Sequence, residues 1–185
     1  MTARIACLHA HRSNKAYMDS LFDDIEHVVK PRIRKAEILT TLAALSEQAD
    51  VVYLTCTDYI AQIEGEVIPS TVVKIDAPFF ALLAQRTVPQ TLIFTNTDTI
   101  KGTITRLHKA GRQVNYEIIM IERAYELLLN GHKKAHDALV QEKLTELLAT
   151  GRTLAVAQLS LVDAARSVDD TIYHPLMSIT PIQNP

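Results

Sequence analysis

The sequence contains no tryptophan, and aromatic side chains make up only 5% of its 185 residues. Aliphatic side chains must therefore supply most of the core, and they occur in short runs separated by polar stretches with helical spacing. This pattern is typical of sheets that are covered by helices. A chain of this length is long enough to bury a substantial core, as one domain or as two small lobes.

A strong excess of charge of either sign is also absent. The 19 Lys and Arg residues nearly balance the 21 Asp and Glu residues, and the formal net charge is -2. Because no broad positive surface is available, nucleic acid is not an expected partner. The densest positive segment, 30–35, adjoins a predicted helix start, and a solvated helix face explains it better than an anion site does.

Long hydrophobic runs and cysteine motifs are missing as well. The longest apolar run, 77–84, is far too short to span a bilayer, and the chain reaches His9 before a signal-peptide core can form. Only two cysteines occur, Cys7 and Cys56, and their spacing is not typical of a metal site or a disulfide framework. We therefore expect a cytoplasmic protein with no membrane partner and no metal.

Short runs of β-type composition alternate with helical stretches along the chain. The runs predicted as strands are 5–8, 51–55, 71–75, 91–94, 114–120 and 154–157. The clearest helices are predicted at 36–49, 98–109 and 134–148. This alternation predicts the α/β class, with parallel sheets.

The ends of the predicted strands indicate two similar halves. The turns after the first and fourth strands are both polar, and so are those after the second and sixth. We predict two pseudo-symmetric lobes with parallel, helix-covered sheets and a cleft between them. The first lobe is expected at 1–87, with about 168–185 returning to it, and the second at 88–167. Ligands of open α/β sheets bind beyond the carboxyl ends of strands, so the polar turns predict a cleft for a small anion.

Cys56 is the residue best placed to carry chemistry. It directly follows an apolar strand, lies between Thr55 and Thr57, and precedes Asp58, which is positioned to cap the next helix. A helix N-terminus favours the thiolate, which would make Cys56 a base or a nucleophile. The alternative is a small buried residue, since free cysteine is among the most buried residue types. Cys7 lies inside an apolar strand and is expected to belong to the core.

Histidines offer groups that titrate near neutral pH. His9 and His11 follow the first strand, and either imidazole is a candidate proton donor to a bound substrate. The alternative for both is a loop histidine at the rim of the cleft or on the surface. His136 and Asp137 form a candidate acid and base pair, but their place at a helix start favours a structural role.

Five segments of the chain, taken in order, carry a resemblance to a known family. They are 51–57, 72–78, 94–97, 131–137 and 156–160. The ordered set resembles the short branch of the aspartate/glutamate/hydantoin racemase superfamily, over most of the chain up to about His174. This resemblance implies two α/β lobes, no cofactor, and a substrate carboxylate held by threonine, serine, asparagine and backbone groups. Relatives often form dimers, so a homodimer is one expected assembly.

The resemblance also implies a mechanism. In members with two bases, a cysteine from each half removes or returns the proton at the substrate Cα. The first cysteine matches Cys56, but Gln158 stands where the second is expected. Glutamine cannot exchange protons near neutral pH, so Gln158 is expected either to donate a hydrogen bond to substrate or to satisfy backbone groups at the strand end. Relatives with one catalytic cysteine carry out decarboxylation or related one-base chemistry.

The sequence therefore predicts a cofactor-independent isomerase that acts at the Cα of a small amino acid or dicarboxylate through a single thiol. The alternatives are a decarboxylase or lyase of the same superfamily and a non-catalytic protein that binds small carboxylates. Cys56 and His9 are the expected catalytic residues. The expected substrate-binding residues are Thr55, Thr57, Thr95, Asn96, Thr97, Gln158 and Ser160. Such polar residues are also ordinary helix caps, which leaves a structural role open for each of them.

Overall fold

The computed structural model of the protein describes residues 3–111 and 115–179. Its elements fall into two compact units, one formed by the chain up to Ala77 together with Ile179, the other by Pro78–Ser178. Each unit contains its own parallel sheet with helices against it. The α/β class predicted from the alternating pattern is confirmed. Within the described ranges, no helix has the length and hydropathy that a membrane-spanning segment needs.

The first unit contains four parallel strands in the order β2-β1-β3-β4. The strands are β1 (Ile5–His9), β2 (Ile25–Val29), β3 (Val51–Leu54) and β4 (Val72–Lys74). The helices are α1 (Lys15–Asp19), α2 (Lys35–Ser46) and α3 (Thr57–Gln62), and a 3-10 turn (Arg12–Asn14) precedes α1. Because β1 and β3 are neighbours at the centre of the sheet, their carboxyl ends lie side by side, with Leu8 opposite Leu54.

β2 is absent from the strands that the sequence predicts. It lies at the edge of the sheet, and none of its five residues is fully buried. Polar residues Glu26 and His27 interrupt its apolar ones, so it lacks the apolar run that marks a central strand. Its register with β1 places His27 opposite Cys7.

The second unit contains three parallel strands in the order β6-β5-β7. The strands are β5 (Gln90–Phe94), β6 (Tyr116–Met120) and β7 (Leu154–Val156). The helices are α4 (Ala77–Ala84), α5 (Ile100–Lys109), α6 (Ala124–Leu129), α7 (Lys133–Ala149) and α8 (Val162–Val168). Three 3-10 turns lie at Thr97–Thr99, Leu159–Leu161 and Pro175–Ser178. The three helices predicted most clearly from the sequence are present as α2, α5 and α7.

β5, the central strand of the second sheet, is buried on both faces. Ile93 of β5 belongs to one apolar cluster with Leu144 of α7, whereas its neighbour Phe94 belongs to another with Phe79 of α4. Successive side chains of a strand point to opposite faces, which explains why adjacent residues enter different clusters. Burial on both faces also explains the continuous apolar run that identified β5 in the sequence.

The division of the chain differs from the one expected from the sequence, which placed the boundary between 87 and 88 and returned about 168–185 to the first lobe. In the structure α4 from Pro78 onward belongs to the second unit, since its phenylalanines enter the core there. The segment from 168 to Ser178 also belongs to the second unit and not to the first. Tyr173 forms a parallel bridge with Ala155 of β7, and Ile172 is buried in the core of the second unit. The residues after 179, and the start of the strand predicted at 114–120, lie outside the described residues.

Candidate active site

Cys56 lies between β3 and α3, at the carboxyl end of a central strand. Its backbone is extended, with φ -98° and ψ 118°, and it is the residue that immediately precedes the first turn of α3. Its side chain is partly exposed, whereas Cys7 is fully buried within β1. Of the two thiols, Cys56 is therefore the one that a small molecule can reach.

The environment of Cys56 favours the neutral thiol. Burial raises the pKa of this thiol to about 11, while the backbone amides of Tyr59 and Asp58 act in the opposite direction. The Asp58 carboxylate raises the pKa further. From the sequence we expected the helix start to favour the thiolate, but loss of hydration on burial outweighs the effect of the amides on the pKa. The thiol is consequently protonated at neutral pH.

A line of hydrogen-bonded side chains starts at the residue before Cys56. His9 Nδ1 lies 2.8 Å from Thr55 Oγ1, and His9 Nε2 lies 2.9 Å from His27 Nδ1. His27 Nε2 in turn lies 2.8 Å from Asp19 Oδ1. The parallel pairing of β1 with both β2 and β3 brings these residues together. The line connects the buried end of β3 to an exposed carboxylate on α1.

His9 differs from both descriptions that the sequence suggested. It is fully buried and hydrogen-bonded through both ring nitrogens, so it is neither a rim residue nor a surface residue. Its pKa is lowered to about 4, mainly by burial and then by His27 and Lys15, against an opposite effect of Asp19. At neutral pH its imidazole is uncharged. The expectation of a proton donor that titrates near pH 7 is therefore corrected to a neutral hydrogen-bonding group, while His11 is exposed on the surface.

Two members of this line, His27 and Asp19, were not among the residues expected from the sequence. Asp19 is the last residue of a five-residue helix, and His27 lies in the edge strand that was not predicted. The available signal was the alternation of Ile25, His27 and Val29, which indicates a short strand with one face toward the core.

Gln158 and Thr95 are joined by hydrogen bonds at the carboxyl ends of β7 and β5. Gln158 Oε1 accepts from the backbone N–H of Thr95 at 2.9 Å and from Thr95 Oγ1 at 3.1 Å. Both side chains are buried. Gln158 thus satisfies a backbone group next to its strand end, which was one of its two expected roles. Because the oxygen accepts both bonds, the Nε2 group is the part of the amide that remains to donate.

The other polar residues expected at the site have mixed surroundings. Asn96 caps the 3-10 turn before α5, since its Oδ1 accepts from the backbone N–H of Asp98 at 3.0 Å. Thr97 is exposed in that turn, and Thr57 and Ser160 are partly exposed. The structure gathers these residues at strand ends in two sets, one in each unit. The set of the first unit is His9, Thr55, Cys56 and Thr57, and that of the second is Thr95, Asn96, Thr97, Gln158 and Ser160.

His136 and Asp137, the other candidate acid and base pair, make contacts that stabilise the packing of two helices. His136 is fully buried on α7, with Nδ1 2.8 Å from Asp137 Oδ1. Lys133 donates to the carboxylates of Asp137 at 2.6 Å and Asp163 at 2.8 Å. These bonds connect α7 to α8, which agrees with the structural role that the sequence favoured.

No protein-family model and no curated protein sequence matches the chain. Solved structures match it in fold. A glutamate racemase from Bacillus anthracis has a TM-score of 0.62 and 12% identity, over 95% of this chain and 78% of that one. A glutamate racemase from Francisella tularensis, in complex with D-glutamate, has a TM-score of 0.62 and 11% identity, over 96% and 78%. An aspartate racemase from Picrophilus torridus has a TM-score of 0.68 and 9% identity, over 94% and 88%.

These likenesses extend over nearly the whole chain and over most of each racemase. At 9–12% identity these likenesses establish the architecture of the chain. They do not assign a role to any individual residue. The chain has the same fold as these glutamate and aspartate racemases.

Proposed function

We propose that this protein is a cofactor-independent, racemase-like isomerase that acts at the Cα of a small amino acid or dicarboxylate. Cys56 is its single thiol base. The observation that carries the proposal is the position of this thiol, partly exposed at the carboxyl end of a central parallel strand in a racemase fold. Ligands of open α/β sheets bind at such strand ends. The amino acid class is supported by the D-glutamate complex of the Francisella tularensis racemase.

The proposed chemistry is reversible proton transfer. The Cys56 thiolate removes the proton from the substrate Cα, which leaves the electron pair in an enediolate, and the resulting thiol returns a proton to the same carbon. Hydrogen-bond donors must stabilise the negative charge that develops on the carboxylate oxygens. In the first unit Thr57, the residue after Cys56, is proposed as one such donor, with Thr55 holding His9 in place. In the second unit Thr95, Asn96, Thr97, Ser160 and the Nε2 group of Gln158 keep their proposed role as carboxylate-binding groups.

A single thiol has a consequence for stereochemistry. Gln158 cannot return a proton to a carbanion, because an amide neither gains nor loses a proton near neutral pH. We therefore expect exchange of the Cα proton with solvent to be faster than inversion of the configuration. Since the pKa of Cys56 is raised to about 11, the rate of exchange is expected to increase with pH above neutrality.

The test is deuterium exchange at Cα. The protein is incubated in deuterated water with a panel of amino acids and dicarboxylates, and loss of the Cα proton signal is followed by NMR while chiral chromatography follows inversion. Exchange is expected with at least one compound in the panel and is expected to be lost in Cys56→Ala. His11→Ala changes an exposed residue after β1 and is the matched control, with exchange expected to remain. Exchange that survives in Cys56→Ala contradicts the proposal.

A second candidate, a non-catalytic protein that binds small carboxylates, is favoured by one observation. The oxygen of Gln158 is held by two bonds from Thr95, so this residue serves the fold whether or not a substrate turns over. Ligand-dependent stabilisation against unfolding, without exchange or product, would support this candidate over the enzyme. Release of carbon dioxide from a dicarboxylate would instead identify a decarboxylase that uses the same thiol. A homodimer and a cytoplasmic location remain predictions from the sequence.

A further inference from the structure

Three metal-ligating side chains lie together on one face of the first sheet. Cys7 and His9 are two residues apart on β1, so they share a face, and His27 of β2 stands opposite Cys7 in the parallel register. The Cys7 sulfur and a nitrogen of each imidazole all lie within 4.8 Å of one another. Cys7 and His9 are fully buried, and the side chain of His27 is 9% exposed. The cluster is therefore nearly closed, with His27 on its open side.

The outer nitrogens of both rings already have the partners that metal ligands need. A ligating imidazole almost always donates its second N–H to a carboxylate or another oxygen, which fixes the ring and its tautomer. His9 Nδ1 has Thr55 Oγ1 at 2.8 Å, and His27 Nε2 has Asp19 Oδ1 at 2.8 Å. The two nitrogens that face each other, His9 Nε2 and His27 Nδ1, are 2.9 Å apart. In each ring, one nitrogen thus points into the cluster and the other is hydrogen-bonded to an oxygen outside it.

Every proton of this hydrogen-bonded line has a defined position when a cation lies between the two imidazoles. His9 Nδ1–H donates to Thr55, and the Thr55 hydroxyl donates to the backbone carbonyl of Leu8, 3.2 Å away. His27 Nε2–H donates to Asp19. In this arrangement two lone pairs face each other across 2.9 Å and can bind one cation. Without a cation, the neutral His9 carries its proton on Nε2 and donates it to His27 Nδ1, and the Thr55 hydroxyl then donates to His9 Nδ1. The cluster therefore has two stable occupants, one shared proton or one cation.

We propose that Cys7, His9 and His27 bind one divalent d-block cation of the zinc type, with water as the fourth ligand. The cation replaces the shared proton, which moves to His9 Nδ1 as the ring changes tautomer, and the thiol of Cys7 releases its proton to solvent. One sulfur and two imidazoles suit zinc or cobalt, whereas calcium and magnesium require oxygen ligands. Chain spacing did not predict the site because its ligands come from two adjacent strands rather than from one local motif.

The required adjustment is small. Zinc binds sulfur at about 2.3 Å and nitrogen at about 2.0–2.1 Å, so neighbouring ligand atoms in a tetrahedron lie about 3.3–3.6 Å apart. The facing nitrogens must separate by roughly 0.4 Å, and the sulfur must approach the ring nitrogens by up to about 1.2 Å.

The experiment titrates chelator-treated protein with Co²⁺ and follows the thiolate-to-cobalt charge-transfer absorbance. One equivalent is expected to saturate the signal, and Zn²⁺ is expected to abolish it by displacing the cobalt. Cys7→Ser is expected to remove the charge-transfer band, and His27→Gln to weaken cobalt binding at least tenfold. Asp19→Asn, an exposed change outside the ligand set, is expected to weaken binding by about 10-fold to 100-fold. Cys56→Ala is the matched thiol control and is expected to bind like the unchanged protein.

Two results of the absorbance measurement overturn the site. One is the absence of a saturable cobalt signal in the unchanged protein, whatever the variants do. The other is a charge-transfer band that persists in Cys7→Ser and disappears in Cys56→Ala, which would assign the metal to the other thiol. Circular dichroism of each variant checks the fold, and if Cys7→Ser does not fold, Asp19→Asn and His27→Gln still decide the matter. Unchanged cobalt affinity in both of these variants also overturns the proposal.

Discussion

The two cysteines have different surroundings in the fold, one buried within a strand and one partly exposed at a strand end. Burial raises the pKa of Cys7 to about 12, with a further contribution from the Asp19 carboxylate, and that of Cys56 to about 11. Both thiols are therefore protonated at neutral pH, and access rather than acidity distinguishes them. Cys7 is buried in the sheet next to two imidazoles, whereas Cys56 is partly exposed and can be reached by a small organic molecule.

Alkylation tests this difference between the thiols. Only the thiolate reacts with iodoacetamide, and below the pKa its fraction grows tenfold for each pH unit. We expect the rate of Cys56 modification in the folded protein to rise about tenfold per unit between about pH 7 and pH 10, with Cys7 unmodified. Peptide mass spectrometry gives both rates, and urea-unfolded protein, in which both thiols should react, is the control. A rate that levels off near pH 8 would show that the helix start, not burial, governs the thiol.

At the scale of single elements, the bond between the ends of β5 and β7 depends on one side chain. Gln158→Leu keeps the approximate volume but leaves the buried N–H of Thr95 without its acceptor. An unsatisfied buried donor costs about 1–3 kcal/mol, so we expect the free energy of unfolding to fall by that amount. Urea denaturation measures the change. The control is Ser160→Ala, which changes a partly exposed residue two positions further along the chain. Its free energy of unfolding should stay within about 0.5 kcal/mol of that of the unchanged protein. Equal losses in the two variants would contradict this role of Gln158.

Which elements the sequence reveals depends on how completely they are buried. β1, β3 and β5 are central strands with continuous apolar runs, so composition alone identifies them. β2 is an edge strand with polar residues, and it was not predicted from the sequence. The sequence therefore did not indicate that His27 lies next to Cys7 and His9. Position along the chain could place Cys56 after a strand, but the burial that raises its pKa and neutralises His9 depends on side chains from other strands. Those contacts are not encoded in any local pattern.

At the scale of the whole molecule, the likeness to racemases is one of architecture. Chains that are 9–12% identical can share a fold because the apolar pattern of strands and helices, and not particular residues, determines how the layers form. Activity resides in the site, so the fold alone does not transfer it. We predict that Gln158 stands where a two-base racemase has its second thiol, and that this protein therefore differs from such a racemase in what it does to its substrate.

The acid stability of the molecule is expected to depend in part on a histidine far along the chain from Cys56. His174 is 5% exposed, and its pKa is lowered from 6.5 to about 4 by burial and by the Arg166 guanidinium, against an opposite effect of Asp170. Arg166 Nε donates to His174 Nε2 at 3.4 Å, a bond that only the neutral imidazole can accept. Folding thus favours the uncharged ring. Between about pH 6.5 and pH 4 the unfolded chain binds a proton that the folded chain does not.

Stability should therefore fall as the pH is lowered through this window, and His174→Gln should reduce the dependence. One proton of difference corresponds to a slope of at most about 1.4 kcal/mol per pH unit in the free energy of unfolding. Urea denaturation of both proteins at several pH values between about 7 and 4.5 measures the two slopes. Carboxylates titrate alike in both proteins and cancel in the difference, which isolates the histidine. Parallel slopes for the two proteins would mean that His174 is protonated as easily in the folded chain as in the unfolded one, and that its burial does not exclude the charge.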